Sequence, residues 1–176
     1  MTDLIILALL LPGPKHGYQI KREAGWILGQ AAMHNNLVYP MLRRFLEEGL
    51  ATKKSVAGER GQNRQQYVLT ARGRQTLLAR LNSYGENEAG SVEGFHMRVG
   101  MFELLNPEAR ERILSLREAY LRSQEEKSTA LQAQMDLGSY GGEVVRHRLE
   151  KTQFELAWIR RLRRLVKSNS DDGRKS

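Results

Sequence analysis

At 176 residues the chain can bury one sizeable core, or one small domain plus a helical arm, so no more than two modules are expected. With 40% hydrophobic and 27% charged residues it has the composition of an ordinary soluble globule, and the lack of cysteine excludes disulfides, thiolate zinc sites and thiol nucleophiles together. A net charge of +8 points to a polyanionic partner, and it is concentrated early: residues 1–85 hold 12 Lys and Arg against 5 Asp and Glu, the remainder 16 against 15.

The apolar run from Leu4 to Pro12 is about half the length a membrane-spanning helix needs and no basic residue precedes it, so it is read as a core helix of a cytoplasmic protein. Pro12-Gly13-Pro14 stops that helix. Ile20, Ala24, Ile27 and Leu28 then recur at helical spacing opposite Lys21, Arg22 and Glu23, predicting an amphipathic second helix that ends near Gly29. A third helix is expected from about Asn36, because Asn35 or Asn36 can cap it and Pro40 is tolerated only near a helix start. Val38, Leu42 and Phe45 face inward there, and Gly49 terminates it.

From Leu50 the period changes. Residues 51–56 and 64–70 read as two strands joined by a Gly-containing polar loop, and Thr70 can cap a fourth helix carrying Leu77, Leu78 and Leu81. Three helices, a hairpin and a helix in this order predict a mainly α chain with a winged helix-turn-helix at residues 1–83. The glycine-containing stretch Ser83–Gly94 reads as a linker or loose corner.

A helical dimerisation domain is expected over residues 95–168. Asn106-Pro107-Glu108 supplies a cap, a first-turn proline and a dipole-favoured acid for a long helix whose Ala109, Ile113, Leu116 and Tyr120 step by three and four. Residues Gly138–Gly142 break the chain, and a last helix is predicted from about Glu143 to Val166, with a frayed tail after it. Val145, Leu149, Leu156, Ile159 and Val166 repeat at near-heptad spacing, and Phe154, Trp158, Leu162 and Leu165 widen the apolar surface. That is more than the subunit's own arm is expected to cover, so a homodimer is predicted with Val145, Leu149, Leu156, Trp158, Ile159, Leu162 and Val166 as its seam.

The candidate DNA contacts follow from the same layout. Asn35 and Asn36 open the third helix, one as cap and the other able to pair with adenine; Tyr39 can reach a phosphate or thymine methyl; Arg43 and Arg44 lie further along. Lys53, Lys54, Arg60 and Arg64 are concentrated on the hairpin, where a wing would bring them to the backbone. Arg160, Arg161, Arg163 and Arg164 form a second cluster, read as the solvated side of the last helix. Four scattered histidines without ligand spacing and the lack of a phosphate-binding glycine loop argue against an enzyme, a metal or a cofactor.

His16-Gly17-Tyr18 after Gly13-Pro14, Tyr39-Pro40 with Leu42-Arg43-Arg44, Glu47-Glu48-Gly49-Leu50, and Arg64, Tyr67, Leu69-Thr70 and Gly73 together resemble the PadR family of transcriptional regulators. The layout of the second half resembles its longer branch, which includes virulence activators of the AphA type. The resemblance implies a winged-helix regulator, expected to be a repressor, that dimerises through C-terminal helices on a two-fold operator and uses Tyr18 among its DNA contacts. Members sense phenolic acids or drugs, so a small-molecule effector site between Trp26 and Trp158 is one alternative function; a winged-helix protein-binding adaptor is another. Asn35-Asn36-Leu37 departs from the Ser or Thr with Gly that often precedes the Tyr-Pro pair, so no base preference carries over.

Overall fold

The computed structural model describes residues 2–28, 35–57, 63–134 and 138–172, and the chain divides into two units, residues 1–83 and 84–176. In the first unit, α1 (Thr2–Leu9) buries Leu4, Ile5, Ile6 and Leu7 and gives way to a turn in which Gly13 adopts φ 141°. A two-residue strand, β1 (Lys15–His16), leads directly into α2 (Gly17–Leu28), where Ile20 and Ala24 are buried but Ile27 is exposed. Gly29, the predicted stop of α2, lies outside the described residues.

Helix α3 (Asn35–Glu47) buries Val38, Leu42 and Phe45 as their spacing predicts. Pro40 sits in its second turn, deeper than a first-turn proline, where its missing donor forfeits one helical bond. The helix closes with Gly49 at φ 68°, Leu50 N–H donating to the Phe45 carbonyl and Gly49 N–H to that of Leu46, the paired bonds of a glycine C-terminal cap.

Strands β2 (Ala51–Ala57) and β3 (Asn63–Leu69) pair antiparallel from Ala51↔Leu69 to Ala57↔Asn63. β1 adds to the free edge of β3 through Lys15↔Tyr67 and His16↔Gln66, giving the order β1-β3-β2. The sequence predicts only the hairpin, because two residues are too few to show a period. Thr70 caps α4 (Ala71–Asn82) by accepting from Gly73 N–H at 2.9 Å, and Leu77 and Leu81 are buried.

The second unit begins inside the segment read as a linker. Tyr84, Ala89 and Phe95 are buried, and α5 (Glu86–Ala89) and α6 (Val92–Val99) occupy the stretch, followed by a single 3-10 turn at Phe102–Leu104. Glycines that read as flexibility permit close packing instead: a Cβ on Gly90 would meet the Tyr120 ring at 3.3 Å.

Asn106 caps α7 (Pro107–Gln134) by accepting from Ala109 N–H at 2.8 Å. Helix α8 (Gly138–Asp172) starts five residues before the predicted Glu143, with Gly138 at φ 58°, and continues past Val166 through residues expected to fray. Glu125 lies beside Gln153 and Glu111 beside Arg163, so α7 and α8 run antiparallel. Between them Arg117, almost wholly buried, donates to both carboxylate oxygens of Glu155 at 2.7 and 2.9 Å and to the Ala89 carbonyl at 2.5 Å, flanked by the Phe95 and Tyr120 rings. This buried pair joins α5, α7 and α8.

The hairpin changes the meaning of the heptad pattern. Val145, Leu156, Ile159 and Val166 are buried, and Leu149 is half-buried, within the subunit. Trp158 is likewise engaged, edge-on to Phe95 at 5.6 Å and to His96 at 5.2 Å, and Leu162 shares a pocket with Val99 and Phe102. The expectation is therefore corrected in part: Phe154 and Leu165 stay exposed, but the subunit itself covers the stripe of Val145, Leu156, Ile159 and Val166. With 28 residues α7 is long enough to cover it, and α6 closes the side bearing Trp158.

Candidate nucleic-acid interface

A cleft of about 550 Å³ opens in the first unit where the start of α2, the first half of α3 and the wing meet. Its geometry begins at Gly17. A Cβ there would stand 2.8 Å from Tyr39 Cε1, so the Tyr39 ring lies where a side chain would otherwise be, with its residue still 42% exposed. Tyr18, next in sequence and exposed, stacks on the His16 imidazole with centroids 5.7 Å apart.

His16 ties this corner to the wing. Its Nδ1 lies 2.9 Å from the Gln65 carbonyl oxygen, which can only accept, so Nδ1 carries a proton. In the neutral ring Nε2 is then an acceptor, and the Gln66 side-chain amide faces it at 3.4 Å. Tyr67 closes the floor. Burial pushes its phenol above the usual tyrosine range, and the neighbouring Tyr39 adds to the shift.

Lys53, Arg64 and Gln65 complete the wall, and none of the eight lining residues is acidic. Two cations and three phenols on a concave surface suit an anionic backbone with polar base edges beside it. Lys54, one step along the strand from Lys53, is exposed on the opposite face.

The remaining predicted contacts divide. Asn35 and Asn36 lie by backbone in the first turn of α3, but their side chains are outside the described residues, as is Arg60 entirely. Arg43 is exposed on α3. Arg44 is drawn aside instead, 3.5 Å from Glu48 and 3.8 Å from Asp3, with its guanidinium near the Phe45 ring. The structure adds His16, Gln65 and Tyr67, which the sequence reading did not single out as contacts; His16 and Tyr67 stood in its motif fragments, but only the pairing of β1 with β3 brings them together.

In the second unit, Arg163 does not belong to a solvated cluster: it pairs with Glu111 at 2.7 Å and with Glu118. Of the two tryptophans weighed for an effector site, Trp26 is 67% exposed in the first unit beneath Arg22, and Trp158 is packed in the second. Among the described residues no group of three or more His, Cys, Asp and Glu is placed to hold a metal ion, and no helix is long and apolar enough to cross a membrane.

Residues 6–79 match the transcriptional regulator PadR-like family. No curated protein matches the chain. Among solved structures, Bacillus subtilis PadR in complex with operator DNA is 20% identical, with 93% of this chain and 98% of that one covered and a TM-score of 0.45. TA0346 from Thermoplasma acidophilum is 28% identical over 44% of this chain and 74% of its own, at 0.42. The PadR-like regulator BC1756 from Bacillus cereus is 15% identical over 96% and 99%, at 0.38.

Proposed function

We propose that this chain, whose residues 6–79 match the transcriptional regulator PadR-like family, is a regulator of that kind that binds duplex DNA sequence-specifically, as a homodimer, and represses transcription by occupying a two-fold operator. The observation that carries this reading is the acid-free cleft between α3 and the wing, which presents Tyr18, Tyr39, Lys53 and Arg64 together. In a winged helix-turn-helix the recognition helix enters the major groove and the wing lies along the backbone, so α3 reads bases while Lys53 and Arg64 take phosphates. Asn35, Asn36 and Arg43 on α3 are the proposed base-side contacts, and Lys54 and Arg60 extend the wing's charge.

The homodimer is supported by the face of α8 that α7 leaves uncovered, with Tyr140, Val144, Phe154 and Leu165 exposed. The seam is therefore moved from the buried positions to this face. Two-fold pairing would present two copies of α3 to successive major grooves, and repression follows from steric exclusion at the occupied site.

Selection of bound sequences from random duplexes tests binding and symmetry at once, with a two-fold motif expected. A protein that retains no duplex, or one that enriches no motif, refutes the reading. Asn35→Ala is expected to flatten sequence preference, whereas Lys53→Ala weakens binding to all sequences alike and lowers the salt dependence by about one phosphate contact. Identical profiles for the two variants would refute the division into base and backbone contacts.

A further inference from the structure

The charges on α8 are sorted by position. Near its start, the face bearing Arg146 mixes signs, with Glu143 paired to Arg146 and Glu150 one turn on. Arg163, which turns toward α7, is neutralised by Glu111 and Glu118. Beyond Glu155 no acid occurs until Asp171, yet Arg160, Arg161, Arg164 and Lys167 fall in this stretch. All four are exposed, and none has an ion-pair partner among the described residues.

Arg160, Arg164 and Lys167 are spaced i, i+4 and i+7, so they form one stripe, with Arg161 at its flank. Like charges at this spacing destabilise a helix, and a helix that only needed solubility would alternate signs as its first half does. Attraction of cations to a helix C-terminus does not account for the stripe. That effect fades within the last turn, and Arg160 and Arg164 lie two turns or more before the end at Asp172. The seven steps from Arg160 to Lys167 rise about 10 Å, which matches about three phosphate-to-phosphate steps along one DNA strand.

We propose that Arg160, Arg161, Arg164 and Lys167 form a second phosphate-binding surface that takes the backbone of duplex DNA independently of the cleft in the first unit. The contact is to backbone, where cations fix position and carry no sequence information. It adds affinity for any sequence.

The test measures binding of the full chain to a duplex of unrelated sequence across salt. R160A/R164A/K167A removes three phosphate contacts per subunit. For each subunit bound, the slope of log affinity against log salt should fall by about 2.7, so that between 50 and 200 mM salt the variant loses on the order of 40-fold less affinity per subunit than the parent. R160K/R164K should keep the parental slope, since only charge is required. Circular dichroism confirms that the helices of each variant are intact. An unchanged slope in the alanine variant overturns the proposal, even where K53A/R64A weakens binding and so upholds the cleft. A reduced slope with K53A/R64A silent upholds the second surface and refutes the cleft. Loss of binding to phosphatidylserine vesicles with no change on DNA would also overturn it, assigning the stripe to an anionic bilayer.

Discussion

At Gly73 an added Cβ would stand 2.0 Å from the Leu50 carbonyl oxygen and 2.7 Å from Leu69 Cδ1. The obstacle is backbone where α3 hands over to the wing, so it cannot swing aside. Gly73→Ala is expected to cost about 1–3 kcal/mol, the range for overpacking, seen as a lower urea midpoint with an unchanged slope. At Gly17 the obstacle is the Tyr39 ring, a side chain at a half-open surface. Gly17→Ala should leave the midpoint close to the parent while displacing Tyr39 and weakening DNA binding. A Gly17→Ala protein that binds normally would remove Tyr39 from the interface. Single residues were legible in the sequence where the physics is local: Thr70 and Asn106 cap their helices as their types predict. Neither glycine's role was legible, because each depends on an atom from a different element, Leu50 in one case and Tyr39 in the other.

Helix periodicity was legible for α1 to α4, α7 and α8, though not for the four-residue α5 inside the stretch read as a linker; the partner of each apolar face was not legible. Val145, Leu156, Ile159 and Val166 form a stripe whose chemistry is the same whether a second subunit or α7 covers it, and only the fold decides for α7. Nor does sequence pattern reveal that Arg117, at a core position of α7, is matched by Glu155 thirty-eight residues away. Glu155→Ala would leave that guanidinium buried and uncompensated, with an expected cost of about 3–5 kcal/mol in a denaturant titration; a change under 1 kcal/mol, on the scale of an exposed pair, would mean that water reaches Arg117. The second pairing between these helices responds to acid. Burial alone would raise the Glu118 carboxyl, but hydrogen bonds from Arg163 and Arg122 outweigh it and hold the group below its ordinary 4.5. Its folded pKa being depressed, its contribution is fully present above 4.5 and is lost as pH falls through the lower folded value. Glu118→Gln should therefore flatten the acid limb of stability against pH. An acid limb identical to the parent's would show that the Arg163 contact contributes nothing to stability.

At the scale of the molecule, an apolar face remains on α8 after the hairpin has closed. Tyr140 is 89% exposed, Phe154 71% and Leu165 59%, with Val144 alongside. Burying a Phe or Leu side chain is worth about 1.5–3 kcal/mol, so pairing this face with its two-fold copy, each residue counted twice, would gain several times that amount. The buried stripe and the exposed face make opposite predictions for charge substitution. Leu156→Asp with Ile159→Asp places charge between α7 and α8 and should unfold the second unit. Phe154→Asp with Leu165→Asp changes only exposed positions, so each subunit should stay helical while dimers dissociate at micromolar concentration in sedimentation. Since two recognition helices one helical turn apart are needed to span an operator, the monomer should also lose most of its affinity for a selected two-fold site while retaining contact with a single half-site. A parent chain that sediments as a monomer would end the dimer reading outright. A Phe154, Leu165 variant that stays dimeric would keep the dimer but place its seam elsewhere, and a folded monomer that binds the full site undiminished would separate dimerisation from operator symmetry.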